Sequence, residues 1–160
     1  MRLLGGIFIV AATLSSCGPN DQATKAKVQP AQTPLTAGDL ATAFASAGLK
    51  VENLNVLSAE TDDNRLLGRP GQYTGKVFFF DARHPRGADP SEGENTIEVF
   101  ASPEDAKARR DYIDGITKGV AMLAQYQILR GKVLVRFDKV LLPAEVEQYR
   151  KVIERLVPER

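Results

Sequence analysis

Residues 76–81 restrict the fold more than any other stretch of the chain. Val77, Phe78, Phe79 and Phe80 follow one another without a polar break. Side chains alternate between the two faces of a strand, so this run is apolar on both faces. It predicts a strand inside a sheet, with cover on both sides. The other elements are read outward from it. Thr36 and Asp39 predict a helix start, with Leu40, Phe44 and Ala47 at helical spacing and Gly48 as its stop. A strand is expected at 54–59, and Pro70-Gly71 suits the centre of a type II turn.

After a break over residues 82–94, a strand is expected at 96–100. Ser102-Pro103-Glu104-Asp105 then combines an N-cap serine, proline at the first helical position and acids in the first turn. Ala106, Ile113, Ile116 and Val120 are expected to form that helix's buried stripe. Residues 126–130 and 132–138 alternate around Gly131, as a hairpin does. A last helix runs from about 143 to 156, with Leu142, Val146, Tyr149, Ile153 and Leu156 as its apolar stripe. Leu142 cannot accept a hydrogen bond, so packing is expected to set that boundary. The order is α-β-β-β-α-β-β-α. It predicts an α+β fold with an antiparallel sheet of about five strands and helices mainly on one face. Residues 96–156 have the element order of part of a ferredoxin-like arrangement.

The first 35 residues differ in kind. Arg2 precedes an apolar or small run from Leu3 to Leu14, the length of a signal core and too short to span a bilayer. It ends in Leu14-Ser15-Ser16-Cys17. These four residues resemble the lipobox of bacterial lipoproteins at every position. The resemblance implies cleavage after Ser16 and a diacylglycerol thioether on Cys17. Residues 1–16 are then a signal peptide, 17–35 the lipidated cysteine and a flexible tether, and 36–160 one globular domain. Residues 18–35 hold three prolines, three glutamines and a single valine, too little to offset chain entropy. Gly18 follows the cysteine, where an aspartate would be the familiar inner-membrane retention signal. The expected location is the cell envelope, outside the cytoplasm. The anchoring surface is the outer face of the cytoplasmic membrane, or the outer membrane in a Gram-negative cell.

Cys17 is the sole cysteine, which leaves no internal disulfide. Removing Arg2 with the signal leaves 20 basic against 20 acidic residues, which gives no electrostatic footprint for nucleic acid. His84 is the one histidine, so a Ser-His-Asp triad or a multi-histidine metal site would depend on it. Asp81, Asp89, Glu92 and Glu94 lie near it in sequence, but Arg83 and Arg86 would repel a cation. An exposed, unliganded His84 is expected. Asp62, Asn64 and Gly68 miss the ligand offsets of a calcium loop, and the glycines around Gly75-Lys76 miss those of a phosphate loop. No cofactor is implied.

The loop over residues 64–73 gathers Arg65, Arg69 and Tyr73 around Gly68 and Pro70-Gly71. Guanidinium forks and a phenol match carboxylate, phosphate or sugar, so these three are the candidate binding residues. The alternative is a turn whose arginines are solvated or paired to Glu60, Asp62 and Asp63. This loop and the strand after it are similar to stretches in small actinobacterial-type lipoproteins, a resemblance that implies no activity. The expected function is a noncatalytic binding or interaction module, anchored to the membrane through the lipid on Cys17. Its partner would be an envelope protein or other envelope component. A small-ligand carrier, with loops 60–73 and 82–94 around a pocket, is the alternative, and a carboxylate-dependent hydrolase a third.

Overall fold

The computed structural model describes residues 34–84, 86–89 and 91–159. The expected signal, the expected lipid site at Cys17 and the expected tether up to residue 33 lie outside the described residues. Three helices and five strands follow in the expected order: α1 (Ala37–Ser46), β1 (Val51–Val56), β2 (Tyr73–Asp81), β3 (Asn95–Phe100), α2 (Pro103–Thr117), β4 (Gln125–Arg130), β5 (Val133–Asp138) and α3 (Pro143–Leu156). The strands form one antiparallel sheet in the order β1-β2-β3-β5-β4. The Phe-rich strand lies inside it, between β1 and β3. β1 begins three residues earlier than the sequence suggests. It ends where Ser58 turns the chain by donating its N–H to Thr61 Oγ1 at 2.9 Å.

The pleat divides the core in two. On one face Val77, Phe79, Ile97, Val133, Val135 and Phe137 meet α1 and α3. The rings of Phe44, Phe79, Phe137 and Tyr149 interlock there, with Phe44 edge-on to Tyr149 at 4.9 Å between centroids. On the other face Tyr73, Phe100 and Leu134 meet Ala106 and Ile113 of α2. Two helices therefore cover one face and one covers the other.

β3, α2 and β4 make a split β-α-β unit, with β5 between the two strands. α3, however, packs opposite α2, so the ferredoxin-like arrangement is not completed. Parity decides this: β5 offers three apolar side chains to α3 and only Leu134 to α2.

The helix starts follow local chemistry. Thr36 Oγ1 accepts from the Asp39 N–H at 3.1 Å, and Asp39 Oδ2 accepts from the Thr36 N–H at 3.0 Å. Ser102 Oγ accepts from the Asp105 N–H in α2 at 3.1 Å. At α3, Glu145 Oε2 takes the Leu142 N–H at 2.8 Å and His84 Nε2 at 2.6 Å. A side chain reaching back, as well as packing, thus sets the boundary that Leu142 cannot cap. Arg83 adds to this corner through Asp81, whose Oδ2 also accepts the Tyr149 hydroxyl at 2.7 Å.

A candidate binding cleft over the second sheet face

α2 is too short to cover its face completely. Ala106 and Ile113 are buried, but Ile116 and Val120, expected in the core, are 55% and 43% exposed. Tyr112, Met122 and Leu123 are exposed beside them. Between this apolar rim and the sheet lies a cleft of about 920 Å³. The loop after β1 contributes Asn64, Leu66, Gly71 and Gln72 to its wall, and the loop before β3 contributes Ser91 and Glu94. Its charged lining is Glu94, Arg109, Arg136 and Asp138. A second, more apolar hollow of about 470 Å³ lies where the described chain begins and ends, around Leu35 and Val157.

Buried charges lie beneath and beside the cleft. Glu98, fully buried, accepts from Arg109 Nε and Nη2, both at 3.4 Å, and from Arg136 Nη2 at 3.5 Å. Arg136 Nη1 reaches Gln125 Oε1 at 3.4 Å, and its buried Nε finds no acceptor. Lys76 Nζ lies 3.5 Å from Asp62 Oδ1, with both side chains withdrawn from solvent, and over the Tyr73 and Phe78 rings. Burial pushes the Lys76 ammonium below its ordinary pKa, against the pull of Glu98 and Asp62. Burial likewise lowers the Arg136 guanidinium and raises the Glu94 carboxyl, the latter opposed by Lys76, Arg136 and Arg86.

Asp62 organises the loop that walls the cleft. Its Oδ2 accepts from the N–H groups of Leu66 at 2.8 Å and Leu67 at 3.0 Å, and from the Tyr73 hydroxyl at 2.7 Å. Burial would raise its carboxyl, but Tyr73, these two amides and Lys76 outweigh it and hold the pKa at about 2. The Pro70-Gly71 turn forms as expected: the Gln72 N–H donates to the Arg69 carbonyl at 3.0 Å, with Gly71 at φ 72°.

The three candidate binding residues are not brought together. Tyr73 is fully buried, with its hydroxyl committed to Asp62, so it does not present a phenol on the loop surface. Its ring fills the space between α2 and the sheet, a role its position at the start of an apolar strand fits. Arg65 and Arg69 are exposed and make no ion pair among the described residues, and neither lines the cleft. Asp62 is therefore the partner of Lys76, not of these arginines. His84, expected to be exposed, is half-buried and bonds to Glu145 on α3, and it too lies outside the cleft lining.

Sequence reasoning missed Arg109, Arg136, Glu98 and Lys76. One signal was available: Lys76, Glu98 and Arg136 each interrupt an apolar strand; pairing sets Lys76 opposite Glu98, while Arg136 lies opposite Thr96, diagonal to Glu98. Among the described residues no cluster of three metal-ligating side chains occurs, and no helix is long and apolar enough to cross a membrane. Comparison with protein-family models, curated proteins and solved structures returned no match.

Proposed function

We propose that this protein is a noncatalytic binding module, held to the bacterial envelope by lipid on Cys17, whose α2 cleft takes a small ligand. One observation carries the choice of surface: a concavity of about 920 Å³, walled by two loops and a helix, with buried charge at its floor and apolar side chains at its rim. Clefts of several hundred cubic ångströms with a few converging polar groups are the usual shape of small-molecule sites. Concavity favours such a ligand over a flat protein partner. The lipobox residues 14–17 and the polar tether support the anchoring half of the reading. Two acyl chains hold a protein stably at a membrane, because each buried methylene contributes ~0.8 kcal/mol.

A carboxylate-dependent hydrolase is the second reading. Its support is Glu94, whose carboxyl burial raises, in the same cleft as Asp138. Asp138 Oδ1, however, accepts the Val140 N–H at 2.8 Å and closes the turn after β5, a structural duty that explains its position without catalysis.

Two measurements test the proposal. Intact-mass spectrometry of membrane-extracted protein should find a diacylglycerol-modified Cys17 at the new N-terminus; a free thiol there, or retention of residues 1–16, contradicts anchoring. Amide shifts of the soluble protein, titrated with small molecules extracted from the envelope, should move at residues 64–72, 91–94 and 109–125. Shifts confined to other regions contradict the cleft.

A further inference from the structure

The floor of the cleft restricts what can occupy it. The normal N–H···O separation is about 2.9–3.0 Å, and ionised groups approach more closely still. Every hydrogen bond the Arg109 and Arg136 guanidinium groups make here is 3.4 Å or longer, and Arg136 Nε makes none. The two share a single carboxylate, Glu98, while Asp62 is taken up by Lys76. Glu94 and Asp138 also face the cleft, but neither forms an ion pair with these arginines among the described residues. The two guanidinium forks bond directly to one carboxylate only, at long distances, and leave N–H groups open to a further acceptor. Above them, Tyr112, Ile116, Met122 and Leu123 form an exposed apolar rim on one side of the opening. Such a patch over a charged floor matches a ligand with an anionic head and an apolar body.

Resting on the cleft as the binding surface, we propose that the ligand is a monoanionic amphiphile, with its carboxylate head on Arg136 and Arg109 and its apolar chain along Tyr112, Ile116, Met122 and Leu123. A single carboxylate supplies the acceptor that the Glu98 pairing lacks. A phosphate monoester would bring a second charge beside the Glu94 and Asp138 carboxyl groups. Burial raises the Glu94 carboxyl, which lessens its opposition to a second carboxylate nearby.

The test uses the full mature chain carrying Cys17→Ala, so that no detergent competes for the cleft. Decanoate, decanol, decyl phosphate and decyltrimethylammonium are titrated calorimetrically below their micelle concentrations. Decanoate should bind with one site, at least tenfold more tightly than decanol, and more tightly than decyl phosphate. Decyltrimethylammonium should bind most weakly. Added salt should weaken decanoate and leave decanol unchanged. Arg136→Met should remove the preference for decanoate over decanol. Should that variant fail to fold, the salt dependence on the unchanged floor decides the same point. Ile116→Asp with Leu123→Asp, both on the exposed rim, should reduce binding of decanoate and decanol alike by tenfold or more.

Equal, salt-independent affinities for decanoate and decanol would overturn the anionic head while leaving the cleft as the site. A preference for decyl phosphate would overturn the carboxylate assignment. Binding untouched by the rim substitutions would overturn the cleft itself, and with it the reading on which the inference rests. Absence of binding by all four probes would overturn the amphiphile.

Discussion

Asp62 and Lys76 show how much of this molecule depends on one buried pair. Removing one partner of such a pair leaves the other charged and unsolvated, which costs several kcal/mol. Asp62→Ala would strand Lys76, the Tyr73 hydroxyl and the two loop amides together. It should destabilise the domain by about 3 kcal/mol or more in urea denaturation; a loss under 1 kcal/mol would show that the pair is not closed in solution. The same pair gives a pH signature. The folded Asp62 carboxyl, at about 2, lies below its ordinary value of 3.8. Between those values the unfolded chain binds more protons, so stability rises with pH across that window. This contribution, on the order of 2 kcal/mol, is complete above about pH 4 and fades as pH falls toward 2. Asp62→Asn should flatten this part of the profile. Tyr73 belongs to the same network, which explains why a residue that reads as a binding phenol lies in the core.

α2 separates what the sequence made legible from what it hid. Its start was plain, because Ser102, Pro103, Glu104 and Asp105 act locally. Its buried stripe was legible only over the first turns. Periodicity places Ile113 and Ile116 on the same side of the helix but cannot say where the sheet beneath stops. The two isoleucines should therefore behave differently. Ile113→Ala removes a buried side chain and should cost roughly 2–5 kcal/mol. Ile116→Asp, at a site 55% exposed, should change stability by no more than about 0.5 kcal/mol. Similar large losses at both sites would mean that α2 is closed down on the sheet and that no cleft exists. Arg65 and Arg69 belong to a second kind of hidden feature. Composition brought them together with Tyr73, but backbone geometry turns them to solvent. Arg65→Ala with Arg69→Ala should leave the melting temperature unchanged to within about a degree, and cleft binding intact. Weakened binding would move the recognition surface to that loop.

At the scale of the whole molecule, antiparallel pairing was readable because runs of adjacent strands are broken only by single helices, and the Phe-rich β2 marked the sheet interior. The side on which each helix lies was not readable. That depends on strand parity summed over the sheet, and the polar residues Lys76, Glu98 and Arg136 mark the second face as a place for charge only once the strands are aligned. The resulting architecture gives the two faces different work. Aliphatic and aromatic side chains from β2, β3, β4 and β5 make one face the main core. The other is closed partly by α2 and two loops, and holds the cleft.

The most direct consequence of this architecture is a small molecule held in that cleft in the protein as the cell makes it. Native mass spectrometry of the protein purified from the cells that make it addresses this directly. A population heavier than the covalent chain by the mass of one small ligand is expected, lost on denaturation and missing from the variant carrying Ile116→Asp and Leu123→Asp. A single population at the covalent mass, or an adduct that persists when both rim residues are charged, would contradict it.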